Sequence, residues 1–353
     1  MNLVELKIHC LRNIHESHVL LNPHINFIYG NNGSGKTSFL EAIYLLSTGH
    51  SFRSREIASL ITHEQDYLAV FGKTDDQQTI SLQKKIKQPT LAKINQQSCV
   101  SNSELAAFLP CQVFYQDIFQ IIDAGPGYRR SLLDWGVFHV EHEYLAIWKN
   151  YRRALKQRNA LLKKQSSYQQ IQPWDHILSE TAEMLHQLRL KYFNTLQADF
   201  EKILNKVCSV NCDIDYYKGW DRRQEGVTLA DVLKKTFASD SQRQFTHYGI
   251  QHADIIIENN NGKAKSIFSR GQQKVVLFAL KLAQANVLKR HCIFLIDDLT
   301  AELDEMHVEN IMTLLQQMPG QYFITVRNGD KLLKPHQSIE SQTLLINDGM
   351  ISI

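Results

Sequence analysis

Nowhere in this sequence do apolar residues run on for the roughly 20 positions that a bilayer-spanning helix needs, so no membrane span is expected. The opening segment MNLVELKIHCLRN lacks the apolar stretch and the small-residue cleavage site of an export signal. A cytoplasmic location follows as the expectation. Six cysteines, Cys10, Cys99, Cys111, Cys208, Cys212 and Cys292, are scattered without a disulfide rhythm, which predicts thiols. Only Cys208 and Cys212 are close, and no second Cys/His pair follows at zinc-site spacing, so no structural zinc is expected. Charge of one sign is also missing: a formal net charge of +3 is too small to argue a nucleic-acid partner by itself. Internal repeats and low-complexity tracts are absent. The 353 residues are 43% hydrophobic, enough for a sizeable core divided among two or three lobes.

Strand and helix patterns alternate along the chain. LVELKIHCL alternates weakly, as a half-buried strand does, and INFIYG is a short apolar run ending in glycine. In SFLEAIYLLS, Phe39, Ile43 and Leu46 fall at helical spacing, with Gly49 as a stop. From Tyr67 to Val100, short runs such as YLAVFGK and TISLQKKI predict an antiparallel meander. Tyr144, Trp148, Tyr151, Leu155 and Leu162 recur at steps of four and three, with Arg158 filling the gap, which predicts one face of a long helix. A second helical pattern starts near Trp174 and continues through Ile177, Met184, Leu188, Leu196 and Ile203, so the two form a helical hairpin. ADIIIE and HCIFLIDD read as strands with a helical run between them, and Asn347-Asp348-Gly349 predicts a terminal hairpin turn.

The chemistry begins at NFIYGNNGSGKTSFLEAI. Gly30, Gly35, Lys36 and Thr37 satisfy G-x-x-x-x-G-K-[ST], with a strand before and a helix after. Gly30, Gly33 and Gly35 let the backbone turn its N–H groups inward, and Asn31, Asn32 and Ser34 complete the cradle for a nucleotide's phosphates. Lys36 is expected to reach the β- and γ-phosphates and the Thr37 hydroxyl to ligate Mg²⁺. CIFLIDD supplies the carboxylate such a loop needs: Asp297 for the metal, and Asp298 to orient or deprotonate the attacking water. The alternative for Asp298 is a strand-end carboxylate with no task. Lys36 and Asp297 are much further apart than one βαβ crossover of about thirty residues requires, so something is inserted. SRGQQK, Ser269 to Lys274, opens the helix before Asp297; its hydroxyl and free N–H groups suit an anion, or Ser269 is a simple N-cap.

P-loop, SRGQQ, LIDD and AELD follow one another in the order found in ABC-type ATPase heads. With YGNNGSGKTSFLEAIYLLSTGHSFRS, YRRSLLDWGVFH, ALKQRNALL, SRGQQKVV and LIDDLTAELD, the chain resembles the RecF family over nearly its full length. The resemblance implies an α/β fold: an ABC-type P-loop ATPase head with an antiparallel β-rich lobe and an inserted α-helical arm. It divides the chain into an N-terminal ATPase half (1–135), the arm (136–248) and a C-terminal half (249–353). It implies a head-to-tail dimer that sandwiches ATP and Mg²⁺. Lys36, Thr37, Asp297 and Asp298 would come from one copy, and Ser269 with the N–H groups of Gly271 and Gln272 from the other. Asp304 would lie at the dimer contact. DNA gaps and single-strand/double-strand junctions are the implied site of action, with help in loading RecA recombinase, SOS induction, and RecR and RecO as partners. Two loops depart from the family pattern: GIQHAD stands where a GPH-like segment is usual, and Gln116-Asp117 where PE is usual. A third departure is Thr325, Val326 and Arg327 where ABC transporters carry a histidine, which predicts slow hydrolysis. Gln112 or Gln116 is the candidate for a glutamine linking nucleotide and arm.

Between Lys149 and Lys164 stand seven basic residues and no acidic one; Lys149, Arg152, Arg153, Lys156 and Arg158 are the candidate DNA contacts. The alternative is a solvated helix face. With no helix-turn-helix, zinc-finger or RRM signature, binding is expected to backbone and shape rather than to bases. Three competing readings remain. A nucleotide-binding subunit of a membrane transporter fits poorly with a long inserted hairpin, a small-molecule kinase fits poorly with SRGQQ, and an SMC-like tether fits poorly with the short helices.

Overall fold

The computed structural model describes residues 1–223, 225–328, 333 and 341–352. It contains two compact units: Met1–Ile118 with Lys206–Cys208 and Lys289–Ile353, and Phe119–Asn205 with Ser209–Leu288. This division differs from the three sequence segments, because 119–135 and 249–288 belong to the second unit.

The first unit opens with β1 (Leu3–Leu11), β2 (Ile14–Leu20), β3 (Ile25–Gly30) and helix α1 (Lys36–Thr48). There follow β4 (Tyr67–Thr74), β5 (Thr79–Lys85), β6 (Leu91–Ile94), β7 (Gln97–Ser98), α2 (Asn102–Phe108) and β8 (Cys111–Phe114). One sheet has the order β2-β1-β4-β5-β6-β7 and is antiparallel throughout, so the meander expected from Tyr67 onwards forms and β1 joins its edge. Its residues alternate buried and part-exposed along β4 and β5, the mark of a sheet with one face on the core.

The second unit carries α3 (Gln120–Asp123), α4 (Pro126–Val140), α5 (Tyr144–Lys163), α6 (Tyr168–Val207), β9 (Asp213–Tyr217), α7 (Leu229–Arg243), β10 (Asp254–Asn259), β11 (Gly262–Lys263), α8 (Ala264–Ile267) and α9 (Arg270–Leu288). Helices α5 and α6 are the expected hairpin, but α6 starts six residues before Trp174 and runs through Pro173. Proline lacks the helical N–H donor and disfavours helix at the residue before it, so Pro173 interrupts the helical pattern in the sequence without ending the helix. The buried face of α5 is Tyr144, Ile147, Tyr151, Ala154, Arg158 and Leu162, while Trp148 and Leu155 are only half-buried. Arg189 on α6 is also fully buried, donating to Asp134 at 2.6 Å and to the Ile250 carbonyl at 3.0 Å. Helix α9 packs on α4, where Gln284 donates to the Leu132 carbonyl at 2.7 Å, and α6 approaches α4 closely at Gly136, where a Cβ would collide with the Tyr192 hydroxyl.

The chain then returns to the first unit with β12 (Ile293–Ile296), α10 (Glu305–Gln317), β13 (Gln321–Arg327), β14 (Ser341–Asn347) and β15 (Met350–Ser352). The second sheet has the order β15-β14-β3-β13-β12-β8, parallel except at β15. Asp348 and Gly349, both at positive φ, close the β14–β15 hairpin in the expected two-residue turn. Helix α1 lies within one core with Leu6 and Ile8 of the antiparallel sheet and Ile28, Leu295 and Phe323 of the parallel one. The parallel order places β13 between β3 and β12, so the end of β13 lies beside both the glycine-rich loop and the carboxylates after β12. Among the described residues no helix is long and apolar enough to cross a membrane.

Candidate functional site

Gly30 ends β3 and Lys36 begins α1, so the loop between them presents a helix N-terminus, as the motif predicts. Gly33 and Gly35 hold φ of 81° and 117°, conformations that side chains with a Cβ rarely adopt. A Cβ at Gly30 would sit 2.5 Å from the Ile346 carbonyl. Lys36 Nζ donates to the carbonyls of Gly30 at 2.7 Å and Asn31 at 2.9 Å, which folds its ammonium back over the loop. Partial burial lowers the Lys36 pKa, and the charges of Asp297 and Asp298 oppose that shift.

Asp297 and Asp298 follow β12 directly. The Thr37 hydroxyl donates to Asp297 Oδ2 at 3.1 Å and Oδ1 at 3.3 Å, and the Thr325 hydroxyl to Asp297 Oδ1 at 2.7 Å. Burial raises the Asp297 pKa, against the hydrogen bonds from Thr325 and Thr37. A desolvated carboxylate beside a threonine hydroxyl is an all-oxygen donor set of the kind a hard divalent cation takes. The Asp298 N–H donates to Thr325 Oγ1 at 2.8 Å, and its backbone is held at φ 55°. Its carboxylate pairs with Arg327, and Asn328 on the same strand exit donates to Asn31 Oδ1 at 2.9 Å. Thr325, Arg327 and Asn328 thus tie the carboxylates and the glycine-rich loop together.

A cleft of about 580 Å³ opens over this loop, lined by Arg12, Asn13, Gly33, Lys36, Thr37 and Arg53 among others. Arg12, Asn13 and Arg53 were not singled out by sequence, since no fixed spacing links them to Lys36. Arg12 is a two-pronged partner of buried Glu41, with both bonds at 2.9 Å, and Arg53 lies 4.0 Å from the same carboxylate. Asn13 donates to the Gly33 carbonyl at 3.3 Å and accepts from Ser38 at 3.2 Å. Two cations and an amide therefore face the loop on the side of the antiparallel sheet.

Lys36, Thr37, Asp297 and Asp298 come together in the first unit, whereas Ser269, Gly271 and Gln272 lie in the second. Ser269 forms a reciprocal cap: its hydroxyl accepts from the Gln272 N–H at 3.3 Å, and Gln272 Oε1 accepts from the Ser269 N–H at 3.0 Å. Ser269 remains exposed. Asp304 caps α10, accepting from the His307 N–H at 2.9 Å; that bond holds its pKa below the usual carboxylate range. Gln112 is buried within β8, and Gln116 is exposed just after it.

On α5, Lys149, Arg152, Arg153 and Lys156 are exposed, but Arg158 is not available to DNA. It is fully buried, bonded to Asp175 at 2.5 Å, Asp240 at 2.7 Å and Thr246 at 2.8 Å. Its place in the apolar series was the signal: a charge on a core face survives only when paired. The same holds before the arm, where Arg129 grips Asp254 at 2.7 and 3.0 Å and Arg130 donates to the Ala253 carbonyl at 2.9 Å. GIQHAD is therefore held by these arginines, with Tyr151 bonded to Gln251.

Known proteins share this chain's sequence and fold. The model of the RecF/RecN/SMC N-terminal domain family matches residues 2–340. The "DNA replication and repair protein RecF" of Francisella tularensis subsp. mediasiatica is 37% identical over 94% of this chain and 96% of its own. That of Cellvibrio japonicus is 38% identical over 92% of this chain and 91% of its own. A solved structure of the recombination mediator protein RecF with ATP, in the RecFOR pathway, superposes with a TM-score of 0.83 at 25% identity, over 99% of this chain and 97% of that one. An Smc head bound to the C-winged helix domain of ScpA shares the fold at TM-score 0.63 and 15% identity, over 100% of this chain and 96% of that one.

Proposed function

The chain belongs to the RecF family of DNA replication and repair proteins, and from that premise we propose that two copies close head to tail around ATP on DNA. The site of action is a gap or a single-strand/double-strand junction, and slow, DNA-stimulated hydrolysis reopens the pair as a switch. The observation that carries this reading is the hydrogen-bonded chain running from Thr37 through Asp297 and Thr325 to Asp298 and Arg327. It links the phosphate loop to the carboxylates at one end of the parallel sheet.

Each side chain takes a part in that cycle. The N–H groups of residues 30–37 and the Lys36 ammonium take the phosphates, Lys36 exchanging the Gly30 and Asn31 carbonyls for them. Thr37 and Asp297 hold Mg²⁺, which when bound supplies positive charge for the phosphate oxygens. Asp298 accepts the proton of the attacking water once Arg327 releases its carboxylate, a competition consistent with slow turnover. The exposed Ser269 hydroxyl, with the N–H groups of Gly271 and Gln272, closes on the γ-phosphate held by the second copy, and Asp304 meets that copy at the contact. Lys149, Arg152, Arg153 and Lys156 take the DNA backbone. RecR and RecO are the proposed partners, RecA loading and SOS induction the consequences, and the cytoplasm the place.

The test mixes two inactive variants. Lys36→Ala removes the phosphate-loop side of each site, and Ser269→Arg blocks the opposing side. Neither turns over ATP alone, but a mixed pair holds one intact composite site, so ATPase activity should return on mixing. No recovery, with both variants folded, would sink the head-to-tail arrangement.

A further inference from the structure

The antiparallel sheet turns one face to α1 and the other to solvent, and the solvent face carries a pattern the nucleotide site does not use. Its strand register aligns side chains in rows across the sheet. Lys7 on β1 stands opposite His18 on β2 and Phe71 on β4; Phe71 stands opposite Ser81 on β5, and Ser81 opposite Lys93 on β6. Further along, Tyr67 stands opposite Lys85. The Lys7 ammonium lies 5.6 Å from the Phe71 ring centroid and that of Lys85 lies 5.5 Å from Tyr67, with the His9 ring 5.0 Å from Tyr67 on its other neighbour strand. Small residues, Ala69 and Ser81 among them, floor a hollow of about 670 Å³ beside the rings.

Half-buried rings flanked by cations on an open sheet are a platform on which planar groups stack while their anionic links meet the ammonium groups. Among the described residues of this face, lysines at 7, 73, 85 and 93 with histidines at 9 and 18 outnumber Glu5 and Glu16; Glu5 pairs with Lys7 at 3.0 Å and lies 2.8 Å from His18, so a phosphate at Lys7 would compete with that carboxylate. Lys7 and Lys93 are three strand spacings apart, about 14 Å, the reach of a short oligonucleotide rather than of one nucleotide. A duplex hides the faces of its bases in the stack and offers a flat surface only phosphates; a single strand offers both. We infer that this face binds a single-stranded nucleic-acid segment, its bases stacking on Phe71 and Tyr67 and its phosphates meeting Lys7, Lys85 and Lys93. The inference rests on the DNA reading above and assigns the unpaired strand of a junction to this sheet.

The experiment is fluorescence anisotropy of a labelled oligothymidine and of a duplex of equal length, titrated with the full chain across a salt series. The variants are Lys7→Gln/Lys93→Gln, Phe71→Leu and, for comparison, Arg152→Ala/Arg153→Ala/Lys156→Ala, each checked for an unchanged melting midpoint. Losing two phosphate contacts should lower the slope of log affinity against log salt by about 1.4 for the single strand. Phe71→Leu keeps the packing but should weaken oligothymidine about fivefold or more, with the duplex changed less than about twofold. Oligothymidine binding by the wild type with unchanged affinity and slope in both sheet variants overturns the inference. Equal losses on single strand and duplex overturn the stacking assignment. A wild type that binds neither probe refutes the DNA reading itself.

Discussion

Replacing Arg158 by alanine separates a structural arginine from a DNA contact. In the fold its guanidinium is fully buried and answers two carboxylates, Asp175 and Asp240, on two other helices. Burial raises the Asp175 pKa even with the arginine present, so little solvent remains to take up the charge if Arg158 goes. Removing one partner from a buried ion cluster typically costs about 3–5 kcal/mol, because the remaining charges are stranded. A solvent-exposed neighbour such as Arg152 should cost less than about 0.5 kcal/mol. The readout is favourable: all four tryptophans, Trp135, Trp148, Trp174 and Trp220, lie in the second unit, so their emission follows that unit alone. With a urea slope of roughly 2–3 kcal/mol/M, Arg158→Ala should move the midpoint down by about 1–2 M and Arg152→Ala hardly at all. An Arg158→Ala protein with a wild-type midpoint and weakened DNA binding would refute the argument and return Arg158 to the DNA surface.

Other expectations follow from the nucleotide site. Asp298→Asn should keep ATP binding while lowering turnover about 100-fold or more; unchanged turnover excludes it as the base. Arg327→Ala removes the cation that holds the Asp298 carboxylate, so turnover should rise; unchanged turnover contradicts the proposed competition. Asp297 has its folded pKa raised by burial, so its ionisation opposes folding above the unfolded value and not below it. Asp297→Asn should therefore raise the nucleotide-free melting midpoint at neutral pH by about 2 °C or more, an advantage that vanishes near pH 3, while abolishing metal-dependent ATP binding. A lowered midpoint at pH 7 would show that Asp297 is stabilised rather than strained.

Local patterns were legible where one short segment supplies its own physics. The glycines at 33 and 35, the alternation in β4 and β5, the helical runs of α5 and α9, and the Asp348-Gly349 turn were legible, because each depends on a period or on a positive φ, although the buried face of α5 takes in Ile147 and Ala154 rather than Trp148 and Leu155. What sequence could not supply was pairing. Arg158 sat visibly on an apolar face, yet its partners lie 17 and 82 residues away and belong to other helices. Arg12 and Arg53 reach the phosphate loop only because β1 and the chain after α1 fold beside it. Arg327 was read as a missing histidine, and only the strand order β3-β13-β12 reveals that it answers Asp298. The cap at Ser269 was expected either as a cap or as an anion contact. The fold displays the cap and leaves the hydroxyl exposed, so both uses are open to it.

The most direct test of the account is binding to a gapped duplex in ATP and in ADP across a salt series, with the oligomeric state followed in parallel. The account predicts tighter, salt-sensitive binding in ATP, accompanied by a monomer-to-dimer shift that ADP does not produce. Equal binding in the two nucleotides, or ATP binding by a chain that stays monomeric on DNA, would contradict it.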